Sequence, residues 1–498
     1  GAPVEYARVL ALVPTDSTIL AYTFTDALGS YRLSVSSTQP QLLISVASME
    51  IERIDRRVEN VSQTCDFRVK ESRTLLREVQ VKARKIWGKK DTVNYSVGAF
   101  IGKNDVVIAD VLRKLPNIEV SMDGLIKYQG KPINKFYIEG LDALQGRYGI
   151  ATNNISAKDV ATVQVLENHQ PVKALEKTQP SSEAAINLKL KDEVKGTFSM
   201  TAQLGLGYDG RVRRSEELIG LYFAKLRQHV LTAKSNDNGE DIRRELRSFT
   251  ADSPLPSLTM TSLQQPDEPR ISRPRYYDND THAFSSNNLY KLKNEAELNA
   301  NLIFFHDRER THGASQTTYF LPEGTKVISE DLRNRGTIDQ LEGELRYNIN
   351  KEQLYFNNLL ELKASWEQEH GIVSAGGDLT QQMRQRYLSA TNTSHWVRTK
   401  ADGKGGEILW RNAVATSPHR LSIQTGLYAP RINGGAPYAE LTQDVRHRAF
   451  LSFAELALLS AWHIGGLHIS PRLFLQAQHQ ALDTELGATS LTGTYQPL

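Results

Sequence analysis

The stretch that decides the fold is YKLKNEAELNANLIF, residues 290–304. Along most of it every second residue is apolar, and the residues between are charged or carry amides. The apolar positions are Tyr290, Leu292, Ala296, Leu298, Ala300, Leu302 and Phe304, and the polar ones are Lys291, Lys293, Glu295, Glu297, Asn299 and Asn301. A period of two is that of a β-strand, whose side chains alternate between two faces. The stretch therefore predicts a long strand with one apolar face and one polar face.

The same alternation recurs after Gly196, for example in TFSMTAQLGLGY (197–208) and LYFNNLLELKASW (354–366). Strands of this length are about twice as long as those of ordinary globular sheets. One-sided polarity over so many residues suits a wall between lipid and an aqueous lumen. The residues from 196 to 498 are therefore predicted to form an antiparallel transmembrane β-barrel. The alternative is a large soluble antiparallel sheet, such as that of an adhesin.

The connections between these strands fall into two kinds. NINKEQ (348–353) and TSPHR (416–420) are predicted to be tight turns, whereas a segment rich in Ser, Pro and charges runs from about Asn238 to Ser286. Short turns on one side and long loops on the other are typical of outer-membrane barrels. The long segment is expected to be an outer loop that helps to capture a ligand.

Composition narrows the class further. Of the 498 residues only 40% are hydrophobic, and no stretch approaches the roughly 20 apolar residues of a membrane helix. The net charge is +3, with Lys and Arg spread among Asp and Glu, so no nucleic-acid partner is expected. The single cysteine, Cys65, cannot form a disulfide within the chain and is interpreted as a buried structural thiol.

Two smaller domains are predicted before the barrel. Residues 1–74 contain short strands separated by turn signals, which favours an immunoglobulin- or transthyretin-like β-sandwich of six or seven strands. Residues 75–195 have mixed α/β character. Within them Asp105–Leu115 has helical spacing and is ended by Pro116, and a short helix is expected from Ala157. The fold class is mainly β.

The middle part also carries a family resemblance. The segments are TLLREVQVKARK (74–85), GKKDTVNYSVGAF (88–100), VIADVLRKLPNIEV (107–120), GLIKYQGKPINKFYIEGLDAL (124–144), VQVLENHQPVKALEK (163–177) and SEAAINLKLK (182–191). Together they resemble the plug domain of TonB-dependent receptor-like proteins of the Bacteroidetes type. The preceding residues resemble the carboxypeptidase-regulatory-like domain that often comes before such plugs. Where this family often has LPGIEV, the chain has Asn117 in place of the glycine, and asparagine tolerates a positive φ.

The resemblance implies a receptor in the bacterial outer membrane that takes up a large or scarce nutrient through a plug-gated barrel. It implies contact with outer-membrane lipid, TonB-type energy coupling and a surface lipoprotein partner. The coupling segment would be Leu76, Arg77, Glu78, Val79, Gln80 and Val81, pairing through its main chain with a partner's sheet edge. An ordinary first strand of the plug explains the same residues equally well. The alternative function is a non-transporting scaffold subunit of a secretion or surface-assembly complex.

No catalytic residue, cofactor or metal site is predicted. Gly205, Gly207 and Gly210 match a dinucleotide-binding pattern, but they follow a barrel-like strand rather than open a helix. His306 and His312 are interpreted as residues of a solvated loop, because their spacing fits no metal motif. His463 and His468 are interpreted in the same way.

The length of the last part is short for a barrel that encloses a plug. About 300 residues follow Gly196, whereas a plugged barrel of about 22 strands needs roughly 500. The sequence is therefore expected to contain only the N-terminal part of the barrel. The alternative, a complete barrel of 10 to 12 strands, would be too narrow to hold the middle domain.

Overall fold

The computed structural model describes residues 3–48, 51–70, 85–121, 124–249, 255, 261–424, 440–459, 462–464, 467–488 and 491–495. Two compact units are present: Gly1–Arg84 with Lys114–Asn117, and Lys85–Arg113 with Ile118–Leu498. Strands dominate both, which confirms the predicted fold class, mainly β. In the described part of the chain, no helix is long and apolar enough to cross a bilayer.

The N-terminal unit contains one four-stranded antiparallel sheet. Its strands are β1 (Arg8–Leu12), β2 (Ile19–Phe24), β3 (Gln41–Ala47) and β4 (Ile54–Glu59), in the order β2–β1–β3–β4. Alternate residues of β1 and β3 form the buried core of this unit, which includes Val9, Ala11, Leu42, Ile44 and Val46.

Two extended segments, 30–39 and 63–70, lie against this core. Their alternate side chains Tyr31, Leu33, Val35, Phe67 and Val69 pack on it, but their main chains form no strand ladder. Cys65 lies in the second segment, where it is free and half-buried rather than fully buried. Of the predicted six or seven strands, four are therefore found as strands in the described part of this unit, and side-chain packing takes the place of the others. The predicted boundary at residues 74/75 lies outside the described residues, so the division into three domains stays a prediction.

Residues 85–113 and 118–195, which we call the middle domain, contain a five-stranded sheet with the order β10–β12–β11–β6–β5 and belong to the same compact unit as the large sheet. Its strands β10 and β12 are parallel and the other pairs are antiparallel. The residues between β6 and β10 form a separate three-stranded sheet, β7–β8–β9. The bounds are β5 (Ile86–Lys89), β6 (Thr92–Ser96), α1 (Ile108–Leu112), β7 (Ile118–Val120), β8 (Ile126–Tyr128), β9 (Lys131–Pro132), β10 (Lys135–Ile138), α2 (Tyr148–Thr152), β11 (Val160–Leu166) and β12 (Ala185–Leu190), with 3₁₀ turns at Val97–Ala99, Ala157–Asp159, Lys173–Leu175 and Asp192–Val194.

The helix predicted at Asp105–Leu115 is shorter than expected. It begins at Ile108, because the carboxylate of Asp110 accepts hydrogen bonds from the N–H groups of Val106 and Val107 and caps the helix there. The short helix predicted from Ala157 is present as a single 3₁₀ turn. Asn117 has a φ of 62°, so asparagine does take the left-handed conformation expected at that position.

Twelve antiparallel strands form the large sheet, and each pairs with the next of these strands in chain order, with β22 pairing with β25. They are β13 (Phe198–Tyr208), β14 (Val212–Phe223), β15 (Arg227–Asn236), β16 (Asp278–Lys291), β17 (Ala296–Leu321), β18 (Gly324–Asn350), β19 (Leu354–Ser374), β20 (Asp378–Thr399), β21 (Gly405–Gln424), β22 (Leu441–Leu459), β25 (Arg472–Ala488) and β26 (Leu491–Tyr495). A separate hairpin of β23 (Trp462–Ile464) and β24 (Leu467–Ile469) contains His463 and His468. Within the described residues no ladder joins β13 to β26.

Two predicted features of the strand boundaries need correction, and a third is confirmed. The stretch 290–304 forms two strands, because a turn at Lys293–Glu295 with positive φ at Asn294 and Glu295 separates β16 from β17. Residues 416–420 are not a turn but lie inside β21. There Pro418 lacks an N–H donor and interrupts the ladder with β20, whereas pairing with β22 continues. The turn predicted at 348–353 is confirmed between β18 and β19.

The two faces of the large sheet have the reverse of the usual polarity. Phe304 is 41% exposed on one face, while Asn299 and Asn301 are 1% and 5% exposed on the other. Exposed apolar side chains on the first face include Leu218, Leu231, Phe284, Leu302, Leu345, Leu362, Trp366, Leu388, Trp410, Val414, Phe450 and Leu456. Buried polar side chains on the second face include Gln228, Thr232, Ser285, Asn287, Asn334, Asn348, Asn357, Thr391 and His419. The alternation read from the sequence therefore does separate an apolar face from a polar one.

Candidate functional site

The polar face of the large sheet is covered by the middle domain, and this interface is the candidate functional site. Arg147 lies at its centre, immediately before α2, and is only 1% exposed. Its Nη2 lies 2.7 Å from Oε1 of Glu344 and 3.0 Å from Oε2 of Glu342. These two carboxylates are two residues apart on β18, so the strand presents both on the same face.

The electrostatics of this cluster depend on all three groups. Burial alone would lower the pKa of the Arg147 guanidinium, but the hydrogen bonds and charges of Glu344 and Glu342 outweigh burial and raise it. Arg147 therefore remains charged in the interior. Its Nε and Nη1 are buried and have no hydrogen-bond partner among the described residues. The pair therefore holds Arg147 against β18, because separating the guanidinium from its carboxylates inside the protein would leave uncompensated charges.

Further polar contacts join the same surfaces. Arg346 lies two residues beyond Glu344, on the same face of β18, and its side chain donates a hydrogen bond to Oε1 of Gln145. On β17, Asn299 Nδ2 donates to the carbonyl oxygen of Asp142 at 3.0 Å, and on β15, Gln228 Nε2 donates to the carbonyl oxygen of Ile138 at 2.7 Å. The polar side chains of the sheet thus satisfy main-chain groups of the middle domain that would otherwise be buried without partners.

A second contact lies near the short turns that connect the strands. Asn350, at the end of β18, accepts from the N–H of Lys173 at 3.0 Å and donates to the carbonyl oxygen of Pro171 at 2.7 Å. An apolar cluster beside it combines Val172, Ala174 and Leu175 of the middle domain with Tyr355, Val397 and Leu459 of the sheet. This cluster fixes the 171–175 segment by apolar burial, whereas Arg147 is fixed by charge.

The long connection between β15 and β16 folds back over the interface. It runs from residue 237 to 277, since Asp278–Ser286 belongs to β16, and we call it the excursion. Within it α3 (Arg243–Leu246) is followed by Phe249, whose ring stacks on Tyr148 at a centroid distance of 4.9 Å. The N–H of Phe249 also donates to the carbonyl oxygen of Gly146. The part of this connection that the structure describes is therefore packed on the middle domain rather than extended as a free outer loop.

A buried ion pair anchors the excursion to the sheet. Lys234 Nζ lies 2.9 Å from Oε2 of Glu245, and Asn154 of the middle domain donates to the same oxygen at 3.4 Å. Burial raises the pKa of the Glu245 carboxyl. Glu245 therefore links three parts: the excursion, the sheet and the middle domain.

Of the residues singled out from the sequence, His306, His312 and the glycines Gly205 to Gly210 do not belong to this interface. Leu76, Arg77, Glu78, Val79, Gln80 and Val81 lie outside the described residues. His306 and His312 are not in a loop but in β17, where each faces one carboxylate, Asp339 at 2.7 Å and Asp331 at 2.9 Å respectively. The glycines Gly205 to Gly210 belong to the β13–β14 hairpin, without a following helix.

Sequence reasoning missed Arg147, Glu342 and Glu344. The two glutamates do lie at alternate positions of a strand, which signals a polar face, but many carboxylates in this chain do so. Arg147 precedes a helix of five residues and has no periodic context. Only the folded chain brings residues almost 200 positions apart together.

No protein-family model and no curated protein matches the chain. Among solved structures, the chain is similar to the ferric yersiniabactin uptake receptor FyuA from Yersinia pestis, with 14% identity, 82% of this chain and 59% of that chain covered, and a TM-score of 0.32. It is also similar to the unliganded ferric citrate transporter FecA, with 10% identity, 81% and 58% covered, and a TM-score of 0.32.

A further match is BauA, the ferric preacinetobactin receptor from Acinetobacter baumannii, with 10% identity, 81% and 78% covered, and a TM-score of 0.27. The chain spans about three fifths of the length of the first two. Because these TM-scores are low, the function proposed below depends on the contacts of this chain itself.

Proposed function

We propose that the chain is an outer-membrane receptor that takes up a large or scarce nutrient, with the large sheet as barrel wall and the middle domain as plug. The observation that carries this proposal is the reversed polarity of the sheet. Exposed Leu, Phe and Trp side chains suit lipid, and the buried Asn, Gln and Ser side chains suit a lumen filled by another domain. The proposal includes no catalysis.

The length of the strands supports the same reading. A membrane-crossing strand needs about 9 to 11 residues, and the shortest of the first ten strands of the sheet, β15, has 10. Strands β17 and β18 have 26 and 27 residues and pair along their whole length. They would extend well beyond one side of a bilayer, where a receptor meets its ligand.

The contacts of the plug suit a gate that is closed at rest. Arg147 is held by two carboxylates of the wall, and the apolar cluster around residues 172–175 holds the plug at a second place, so opening has to break both sets of contacts together. Opening by thermal motion would therefore be rare. For this reason transport is proposed to need energy from a TonB-type partner, which would pull on Leu76–Val81 by main-chain pairing.

The remaining parts of the proposal come from the resemblance of the sequence. They are a Bacteroidetes-type member of the receptor family, an N-terminal domain of the carboxypeptidase-regulatory-like kind, and a surface lipoprotein partner. The N-terminal sheet with its two covering segments is compatible with such a small domain. The second candidate function is a scaffold in which the plug only seals the pore, and the buried contacts around Arg147 would serve that function equally well.

Growth on candidate nutrients separates the two functions. Cells that carry the gene, a deletion of the gene, or a deletion of residues 76–81 are compared on each nutrient as sole source. Loss of growth on one nutrient in both deletions supports an energised receptor. Unchanged growth, together with loss of other surface proteins from the membrane, would support the scaffold and refute the receptor.

A single substitution refines the coupling part of this test. Val79→Pro removes a main-chain donor from the segment, whereas Val79→Thr keeps an extended, β-branched residue. We expect Val79→Pro to lose uptake and capture of the energising partner, and Val79→Thr to retain both. Retention of both by Val79→Pro would contradict the assignment of this segment.

A further inference from the structure

The apolar face of the large sheet gives way to exposed arginines towards the tip where β17 and β18 meet. Residues of one face are identified by direct pairing, starting from Phe304 opposite Leu341 and continuing at every second position. Five of the arginines on this face have no carboxylate oxygen closer than 3.8 Å in the described part of the chain. We call them the arginine band: Arg310, Arg335, Arg384, Arg386 and Arg420, on β17, β18, β20 and β21.

Four members of the band face each other directly across the sheet. Arg310 is opposite Arg335, and Arg384 is opposite Arg420. Like charges in direct cross-strand pairs destabilise a sheet instead of holding it together. Stability of the ladder therefore does not account for these arginines.

The surroundings of Arg335 and Arg384 contain no negative charge to offset theirs. Beside Arg335, the neighbours on its own and the adjacent strands are Arg310, Arg333, Thr337 and His370. Beside Arg384, they are Gln368, Gln382, Arg386 and Arg420. Among the described residues, neither guanidinium has a carboxylate partner. The glutamates of β19, Glu367 and Glu369, lie on the opposite face of the sheet, because they alternate with Gln368.

The carboxylates that do lie on this face are bound to other groups. Asp331 lies 2.8 Å from Nε of Arg333, and Asp339 lies 2.7 Å from Nδ1 of His306. Two longer contacts of 3.8 Å complete the set, from Arg310 to Asp278 and from Arg420 to Asp444. The band thus keeps most of its positive charge.

The position of the band places this charge beside the apolar surface. Arg386 is two residues from Leu388, which is 58% exposed, and directly opposite Trp366, which is 44% exposed. Two residues of a strand span only about 7 Å, and the four strand spacings from β17 to β21 span about 19 Å. A tryptophan between apolar and charged side chains is typical of the level of lipid headgroups.

We infer that the arginine band binds the phosphate groups of lipid headgroups in the leaflet on this side of the membrane. A planar guanidinium pairs with two oxygens of a phosphate group, and this attraction is stronger next to the low dielectric of lipid than in water. The adjoining Trp366 and Leu388 suit the acyl chains of the same lipid. The inference rests on the proposed function, because it takes the apolar face of the sheet to be in contact with lipid.

Quenching of tryptophan fluorescence by brominated lipids measures binding at this place. The full chain is reconstituted in phosphatidylcholine vesicles that contain either brominated phosphatidylcholine or brominated phosphatidic acid. The signal of Trp366 is the difference between the unchanged chain and Trp366→Phe. We expect phosphatidic acid to bind beside Trp366 at least about fivefold more tightly than phosphatidylcholine, which is the preference expected of one arginine at an anionic lipid surface.

The double variant Arg335→Gln with Arg384→Gln is expected to lose most of this preference. The matched control is Arg333→Gln with Arg448→Gln, which removes two exposed arginines of the same face. These two are held by carboxylates, Asp331 at 2.8 Å and Asp483 at 2.7 Å. The control changes the net charge by the same amount and should keep the preference. Thermal unfolding of both double variants is compared with that of the unchanged chain, so that a loss of fold is recognised.

Equal quenching by the two lipids would overturn the inference. Equal loss of preference in both double variants would also overturn it, because the effect would then be one of net charge. Displacement of phosphatidic acid by an equal concentration of inorganic phosphate would refute a lipid site in favour of one for the free anion. Absence of quenching by either lipid would refute the lipid-facing wall and the proposed function with it, whereas quenching without preference removes only the inference.

Discussion

Replacing Arg147 by glutamine tests the central contact of the interface. The substitution leaves Glu344 without a cation, and that side chain is only 7% exposed in the folded chain. Removing one partner of such a buried pair typically destabilises by roughly 3–5 kcal/mol. At 1.4 kcal/mol per factor of ten, the equilibrium for separating the middle domain from the sheet shifts by roughly 100- to 4,000-fold.

The assay is amide hydrogen exchange on the purified chain in detergent. Arg147→Gln is expected to increase exchange in α2 and in the 171–175 segment, since both leave the sheet when the domain separates. Exchange in β1 to β4 should not change, because these strands belong to the other compact unit. The N-terminal sheet thus serves as an internal reference.

A matched control is offered by Arg113→Gln, which removes the same charge from an ion pair with Asp110 at 3.2 Å. The Arg113 side chain is 49% exposed, so its loss is expected to cost only about 0.2–1 kcal/mol. Arg147→Met combined with Glu344→Leu removes both charges and should restore part of the protection. If Arg147→Gln increased exchange no more than Arg113→Gln, the reasoning from burial would be refuted.

Three further predictions concern the bilayer, pH and packing. Phe304→Arg, on the apolar face, should make the free energy of membrane insertion less favourable by about 2–4 kcal/mol if the residue lies near the bilayer centre. Phe320→Arg, at the exposed tip of β17 and β18, should leave it unchanged. Equal insertion of the two variants in a vesicle assay would contradict a lipid-facing sheet. Burial lowers the pKa of His169 to about 4 from 6.5, so the imidazole stabilises the fold above pH 6.5 and loses that contribution as the pH falls towards 4; His169→Gln should flatten chemical unfolding measured across this window, and an unchanged pH profile would contradict it. Gly149→Ala would place a Cβ 3.1 Å from the main chain of α3 and should destabilise by about 1–3 kcal/mol, whereas Gly98→Ala meets nothing within 4 Å; equal melting temperatures of the two variants would contradict the close packing.

The sequence was sufficient for features that depend on local periodicity. Alternation at Leu298, Ala300 and Leu302 against Asn299 and Asn301 predicted both the strands and their two faces, because a strand determines the face of each residue from its position alone. The turn at Lys293–Glu295 was missed for the same reason, since the alternation continues across it while two positive φ angles reverse the chain.

Other features depend on where distant segments meet, and no local pattern contains that information. Composition marked the excursion as a loop, yet Phe249 stacks on Tyr148 about a hundred residues earlier, so the predicted outer loop is partly an internal contact. Pro418 and its neighbours have the composition of a turn, but continuous pairing with β22, and with β20 on either side of the gap at residues 417–418, keeps them in β21. Arg147 has no signal of its own until β18 supplies its carboxylates.

The order of strands in the middle domain determines how a pull on its N-terminal side would act. The segment Leu76–Val81 precedes β5, which is the edge of the five-stranded sheet and pairs with β6 through only four residue pairs. The contacts with the large sheet come instead from the region of β10 and α2, from Arg147, and from the 171–175 segment. A force applied before β5 would therefore load the β5–β6 pairing and the buried Ile86 first, and would reach the Arg147 cluster only after that edge strand had separated. For an energised receptor, this order means that the wall contacts can be strong at rest without preventing the first part of the plug from opening.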